Sequence, residues 1–204
     1  MTRFFAHVAG IVGLCVALAA PVAVAQEQPV RVRGTIERVD GDVYVVKSRA
    51  GVEVKVKLPE NAVVVALIKA SLADVKQGSY VGIAAMPQTD GSQRALEVHI
   101  FPESMRGTGD GHRGWDLQPT STMTNGNVEQ ATPSSDGQML TLKYKDGEKK
   151  VLVPAETPIV SYAPSDKSEL KVGASIFIAA ATKQADGSLL APRVNVGRNV
   201  VPPM

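Results

Sequence analysis

Cysteine is almost missing: the 204 residues hold one, Cys15. It lies in an N-terminal apolar run that is expected to be removed. The body of the protein is therefore expected to carry no disulfide, no thiolate nucleophile and no cysteine-based metal site, and its stability must come from burial. Aromatic residues make up only 4% of the chain, with a single tryptophan, Trp115. That is too few for the stacking platforms on which barrels hold single-stranded nucleic acid. Neither charge dominates, with 22 Lys and Arg against 20 Asp and Glu, which argues against a surface built for polyanions. Beyond residue 25 no apolar run reaches the roughly 18 residues of a membrane span.

Signatures of catalysis are absent as well. There is no G-x-S-x-G elbow, and a Ser-His-Asp set would have to recruit His99 or His112. The glycine-rich Gly107-Thr108-Gly109-Asp110-Gly111 lacks the terminal Gly-Lys-Ser/Thr of a phosphate loop and does not run from a strand into a helix. Non-enzymatic binding is the expectation.

The first 25 residues read as an export signal. Arg3 supplies the basic head, Val8 to Ala25 the apolar run, and Ala23-Val24-Ala25 the small-residue cut site. The mature chain is then expected to be periplasmic or secreted, with no transmembrane segment.

An internal duplication carries most of the organisation. Gly34-Thr35-Ile36-Glu37 returns as Gly126-Asn127-Val128-Glu129. Val75-Lys76-Gln77-Gly78-Ser79-Tyr80-Val81 returns as Leu170-Lys171-Val172-Gly173-Ala174-Ser175-Ile176, and Asp90-Gly91-Ser92 as Asp186-Gly187-Ser188. Within a copy the period is two: Val52, Val54, Val56 and Leu58 alternate with Glu53, Lys55 and Lys57, the pattern of half-buried strands. Asp40-Gly41 and Asp146-Gly147 supply hairpin turns. Ser71-Leu72-Ala73-Asp74 reads as a capped single helical turn, ended by Gly78. The expected fold is mainly β: two tandem five-stranded OB-like small β-barrels, 26–101 and 122–199, each with its short helix between the third and fourth strands. An ordered Gly-rich linker, 102–121, joins them, and 200–204 form a tail.

These blocks, G-x-(I/V)-E, (V/L)-K-x-G and D-G-S, resemble exported bacterial domains of unknown function with tandem OB-like repeats. The stretch from Phe101 to Asn125, with Phe-Pro-Glu and Gly-His-Arg, is similar to that of secreted proteobacterial proteins sometimes labelled metal ABC transporter permease. A permease needs several membrane spans, so the resemblance implies at most a periplasmic accessory of metal transport.

Two candidate sites follow, both in or near the linker. Imidazole and thioether donors suit copper and imidazole with carboxylate suits zinc, which nominates His112, Met105, Met123 and Asp110. His99 lies between Val98 and Ile100 and is expected on the outward strand face, opposite Asn195 of the second unit. Arg and Trp are favoured interface anchors, so Trp115, Arg106 and Arg113 are expected to form a contact patch for an envelope protein or small ligand. Trp115 is expected to pack into the seam between the barrels.

Overall fold

The computed structural model describes residues 29–203; the expected signal, 1–25, lies outside them. The described chain is mainly β, with no α-helix and three single 3-10 turns. The first copy contributes six strands: β1 (Val30–Asp40), β2 (Val43–Ser48), β3 (Glu53–Lys57), β4 (Val63–Ala70), β5 (Tyr80–Pro87) and β6 (Gln93–Phe101). The linker adds β7 (Gly111–Gly114). The second copy gives β8 (Thr122–Ser134), β9 (Gly137–Tyr144), β10 (Gly147–Pro154), β11 (Ile159–Pro164), β12 (Ser175–Lys183), β13 (Leu189–Leu190) and β14 (Arg193–Gly197).

The pairing crosses between the copies. β8, β9 and β10 form a meander from the second copy, and β5 and β6 of the first copy close it. The result is a closed five-stranded barrel. The reciprocal circuit has the same pattern: β1, β2 and β3 meander, and β12 and β13 of the second copy return to β1. In both circuits the third strand meets the incoming hairpin in parallel, and every other pair is antiparallel. The limits 26–101 and 122–199 thus delimit sequence repeats, whereas each closed set of strands draws on both.

The crossing is made by β4 and β11, an extra strand in each copy. The five strands expected per copy do not include Val63–Ala70, which forms a further one. It pairs on both edges, with β11 antiparallel and β14 parallel, and it buries apolar side chains on both faces, Val64 and Ala66 on one and Leu67 on the other, so it lacks the alternating signature. β11 lies likewise between β4 and β6. Leu67 pairs with Tyr162, 95 positions on, the same spacing as Gly78 and Gly173, so an approximate two-fold axis passes through this pair. The expected single turn is a 3-10 turn, Leu72–Asp74, and follows the fourth strand rather than the third; Ser71 is held there by its backbone N–H and hydroxyl donating to Asp74 at 2.8 and 2.7 Å.

The buried side chains mix the copies in the same way. One core joins Val32, Ile36, Val46 and Val56 to Ile176, Ile178 and Leu189; the other joins Val81, Ile83 and Val98 to Leu140, Leu142 and Val151. Val56 and Leu58 are buried as the alternation requires, while Val52 stays exposed just before its strand. The paired glycines of the repeat have a steric reason. A Cβ on Gly34 would lie 2.1 Å from the Lys47 carbonyl oxygen, and one on Gly126 2.6 Å from that of Lys143. Each marks the place where the first two strands of a meander approach too closely for any side chain.

Candidate functional site

Alternation along the strands puts a second set of side chains on the outside of each circuit, and these meet in a seam. Phe177 stands between core residues Ile176 and Ile178, and Ala84 between Ile83 and Ala85. Both therefore face away from their own cores, and with Met123 they form a third buried cluster against which Trp115 and Leu117 pack. The tryptophan of the linker does enter the seam between the two strand circuits. Its loop is closed locally: the Trp115 backbone N–H donates to the Ser121 carbonyl at 2.7 Å, and the Ser121 hydroxyl reaches the Trp115 carbonyl at 3.1 Å.

At the outer edge of the seam the half-buried indole is surrounded by guanidinium groups. The Arg31 carbon Cζ stands 4.1 Å from the ring centroid, that of Arg113 5.7 Å and that of Arg33 5.9 Å. Arg31 and Arg33 share the outward face of β1 because Val32 between them points into the core. Attraction of each cation to the indole face steadies these long side chains, by about 0.5–1 kcal/mol per contact at exposed sites. One carboxylate answers them. Asp116 accepts two bonds from Arg33, at 2.7 and 3.2 Å, and lies 3.6 Å from Arg31. The Arg33 bonds hold the Asp116 carboxyl below its ordinary range.

Deeper in the seam, Glu97 and His99 are 99% buried. His99 is on the outward face of its strand as the alternation requires, yet it is not solvated, and Tyr162 of β11 lies against its ring. His99 Nε2 is 3.8 Å from Glu97 Oε1, and neither ring nitrogen nor that oxygen has a protein hydrogen-bond partner. Burial pushes the Glu97 carboxyl up to about 8, against a weaker downward pull from Arg33 and Arg49. Burial also pushes His99 down to about 3. At neutral pH the carboxyl is mostly protonated and the imidazole uncharged, so the 3.8 Å approach is not an ion pair. Tyr162 flanks His99, its ring centroid 6.0 Å away, and stacks on Phe101 at 5.0 Å.

The metal candidates have separate surroundings. The Met105 sulfur accepts from Arg193 at 3.8 Å. Asp110 accepts from the Lys145 backbone N–H at 2.7 Å and the Tyr80 hydroxyl at 3.3 Å. His112 Nδ1 is 2.8 Å from the Thr124 hydroxyl. Because His112 pairs with Thr124 across the β7–β8 ladder, it points to the opposite face from Met123, which is buried in the seam. Among the described residues no three His, Cys, Asp or Glu side chains cluster as metal ligands would. Of the contact candidates, Arg113 joins Trp115. Arg106 does not: its guanidinium donates to Glu103, Asn127 and the Gly78 carbonyl, fastening the linker to the barrel.

Arg31 and Arg33 were missed as site residues although the alternating Arg31-Val32-Arg33 places two cations on one strand face. Nothing in the linker points to them, over 80 positions away. No protein-family model, no curated protein and no solved structure matches this chain.

Proposed function

We propose that this is a non-enzymatic binding or scaffold protein of the cell envelope, periplasmic or secreted, in which two OB-like barrels exchange their closing hairpins and present the Trp115 patch to a partner. The carrying observation is the half-buried indole ringed by Arg31, Arg33 and Arg113 at the edge of the seam. An aromatic ring and guanidinium groups already held in place lose little freedom when a partner docks, and such residues dominate contact energies. The OB-like reading is supported by the circuits, each a three-strand meander closed by a hairpin whose last strand runs parallel to the third, a Greek-key arrangement.

Removing the indole tests this reading. Trp115→Ala is expected to abolish co-purification of the partner from an envelope extract while the variant stays folded by far-ultraviolet circular dichroism. Capture of the same proteins by the folded variant as by the unaltered chain would refute the reading. Elemental analysis of protein purified from periplasm separates it from a copper- or zinc-handling accessory. That alternative requires stoichiometric metal that His112→Ala removes.

A further inference from the structure

We propose that Arg31, Arg113 and Trp115 form a receiving site for an oxyanion, the carboxylate, sulfate or phosphate group of a ligand, a proposal that rests on the Trp115 patch being the contact surface.

A guanidinium carries five N–H groups, and attraction to an aromatic ring leaves them without an acceptor oxygen. Arg33 turns two N–H groups to Asp116. Arg113 makes one hydrogen bond, from Nη1 to the Gly109 carbonyl at 2.8 Å, and among the described residues it has no carboxylate within 4.0 Å. Arg31 has only the 3.6 Å approach to Asp116.

Charge makes the same point. Three guanidinium groups converge on one ring and a single ionised carboxylate faces them. Glu97, the next carboxyl inward, is mostly protonated near neutral pH and adds little negative charge. Arg31 and Arg113 are close enough for repulsion to lower the Arg113 pKa, after the larger effect of partial burial. A negative group placed beside them would relieve that repulsion and accept from N–H groups that the protein leaves unpaired, in the charge-assisted bonds that make Arg–oxyanion contacts strong. The chain as a whole is close to neutral. This attraction is therefore local, and it selects a single anionic group of a ligand.

The single tryptophan makes the site self-reporting. Inorganic phosphate, citrate and a short oligogalacturonate are titrated separately while Trp115 fluorescence is followed at constant ionic strength. Saturable changes are expected with at least one probe. Response to phosphate or citrate marks a free small anion, whereas response to the oligogalacturonate alone marks an acidic saccharide. The double variant Arg31→Gln/Arg113→Gln is expected to weaken binding by about tenfold or more, the loss of charge-assisted bonds. Lys150→Gln, on an exposed strand position, removes charge elsewhere and is expected to leave binding unchanged. No saturable response to any probe, or equal weakening by Lys150→Gln, would overturn the oxyanion site. Loss of partner capture by Trp115→Ala alongside such a negative result would leave the contact patch standing and discard only the ligand class.

Discussion

Ile178→Ala is expected to lower the stability of both halves of the chain together, by about 2–5 kcal/mol, the cost of a cavity left by a fully buried aliphatic side chain. Ile178 belongs to the second copy, but it is completely buried among Val32, Ile36 and Val56 of the first. The first copy in turn sends β5 and β6 into the other circuit. Neither core can lose its hairpin without the strand that leads to it, β4 or β11, being pulled from the sheet. Unfolding should therefore be one cooperative transition. The variant is expected to shift a single denaturant midpoint, read identically by Trp115 fluorescence and by far-ultraviolet circular dichroism. Two separate transitions, only one of them moved, would mean that the halves are independent.

The second large effect concerns pH, and the buried pair in the seam fixes its sign. Glu97 in the folded protein keeps its proton up to about pH 8, whereas the ordinary value is 4.5. Between those values the unfolded chain has released a proton that the folded chain retains, so stability falls as pH rises, by about 1.4 kcal/mol per unit. His99 acts in the other direction. Its ordinary value is 6.5 and its folded value about 3, so below 6.5 the unfolded chain gains a proton that the folded chain refuses, and stability falls as pH drops. Between 4.5 and 6.5 the two slopes cancel. The expected profile is a plateau there, with a decline on the alkaline side caused by Glu97 and one on the acid side to which His99 contributes. Glu97→Gln keeps the shape of the protonated carboxyl and is expected to remove the alkaline decline. His99→Asn, which installs the residue found at Asn195 in the other copy, is expected to reduce the acid one. Denaturant midpoints measured across this range provide the check, and a Glu97→Gln profile parallel to the original would contradict the assignment.

The repeat was legible in the sequence because its marks are local. Gly34 and Gly126 answer to a close approach of adjacent strands, and Gly78 and Gly173 hold φ of 84° and 85°, a conformation suited to glycine. Alternation placed Val56 and Leu58 correctly in a core. The exchange of hairpins was not legible. The faces of β5 and β6 carry the same pattern whether they close their own meander or that of the other copy, so periodicity cannot tell the two apart. The same ambiguity hid the nature of Glu97 and His99. Alternation reports which face leaves the barrel interior, but not whether another part of the chain covers that face. Trp115 was legible as a seam residue because an isolated large aromatic in a glycine-rich stretch needs something to pack on. Its arginine neighbours on β1 come from a distant part of the chain, and only the folded arrangement reveals them.

Strand exchange between the copies is tested most directly by cutting the connection between them. A protease site introduced at the exposed Pro119-Thr120 step would divide the folded protein into two fragments, one per copy. The fragments are expected to remain associated under native conditions, eluting together at the mass of the uncut chain and separating only in denaturant. Elution as two separate folded monomers would contradict the exchange.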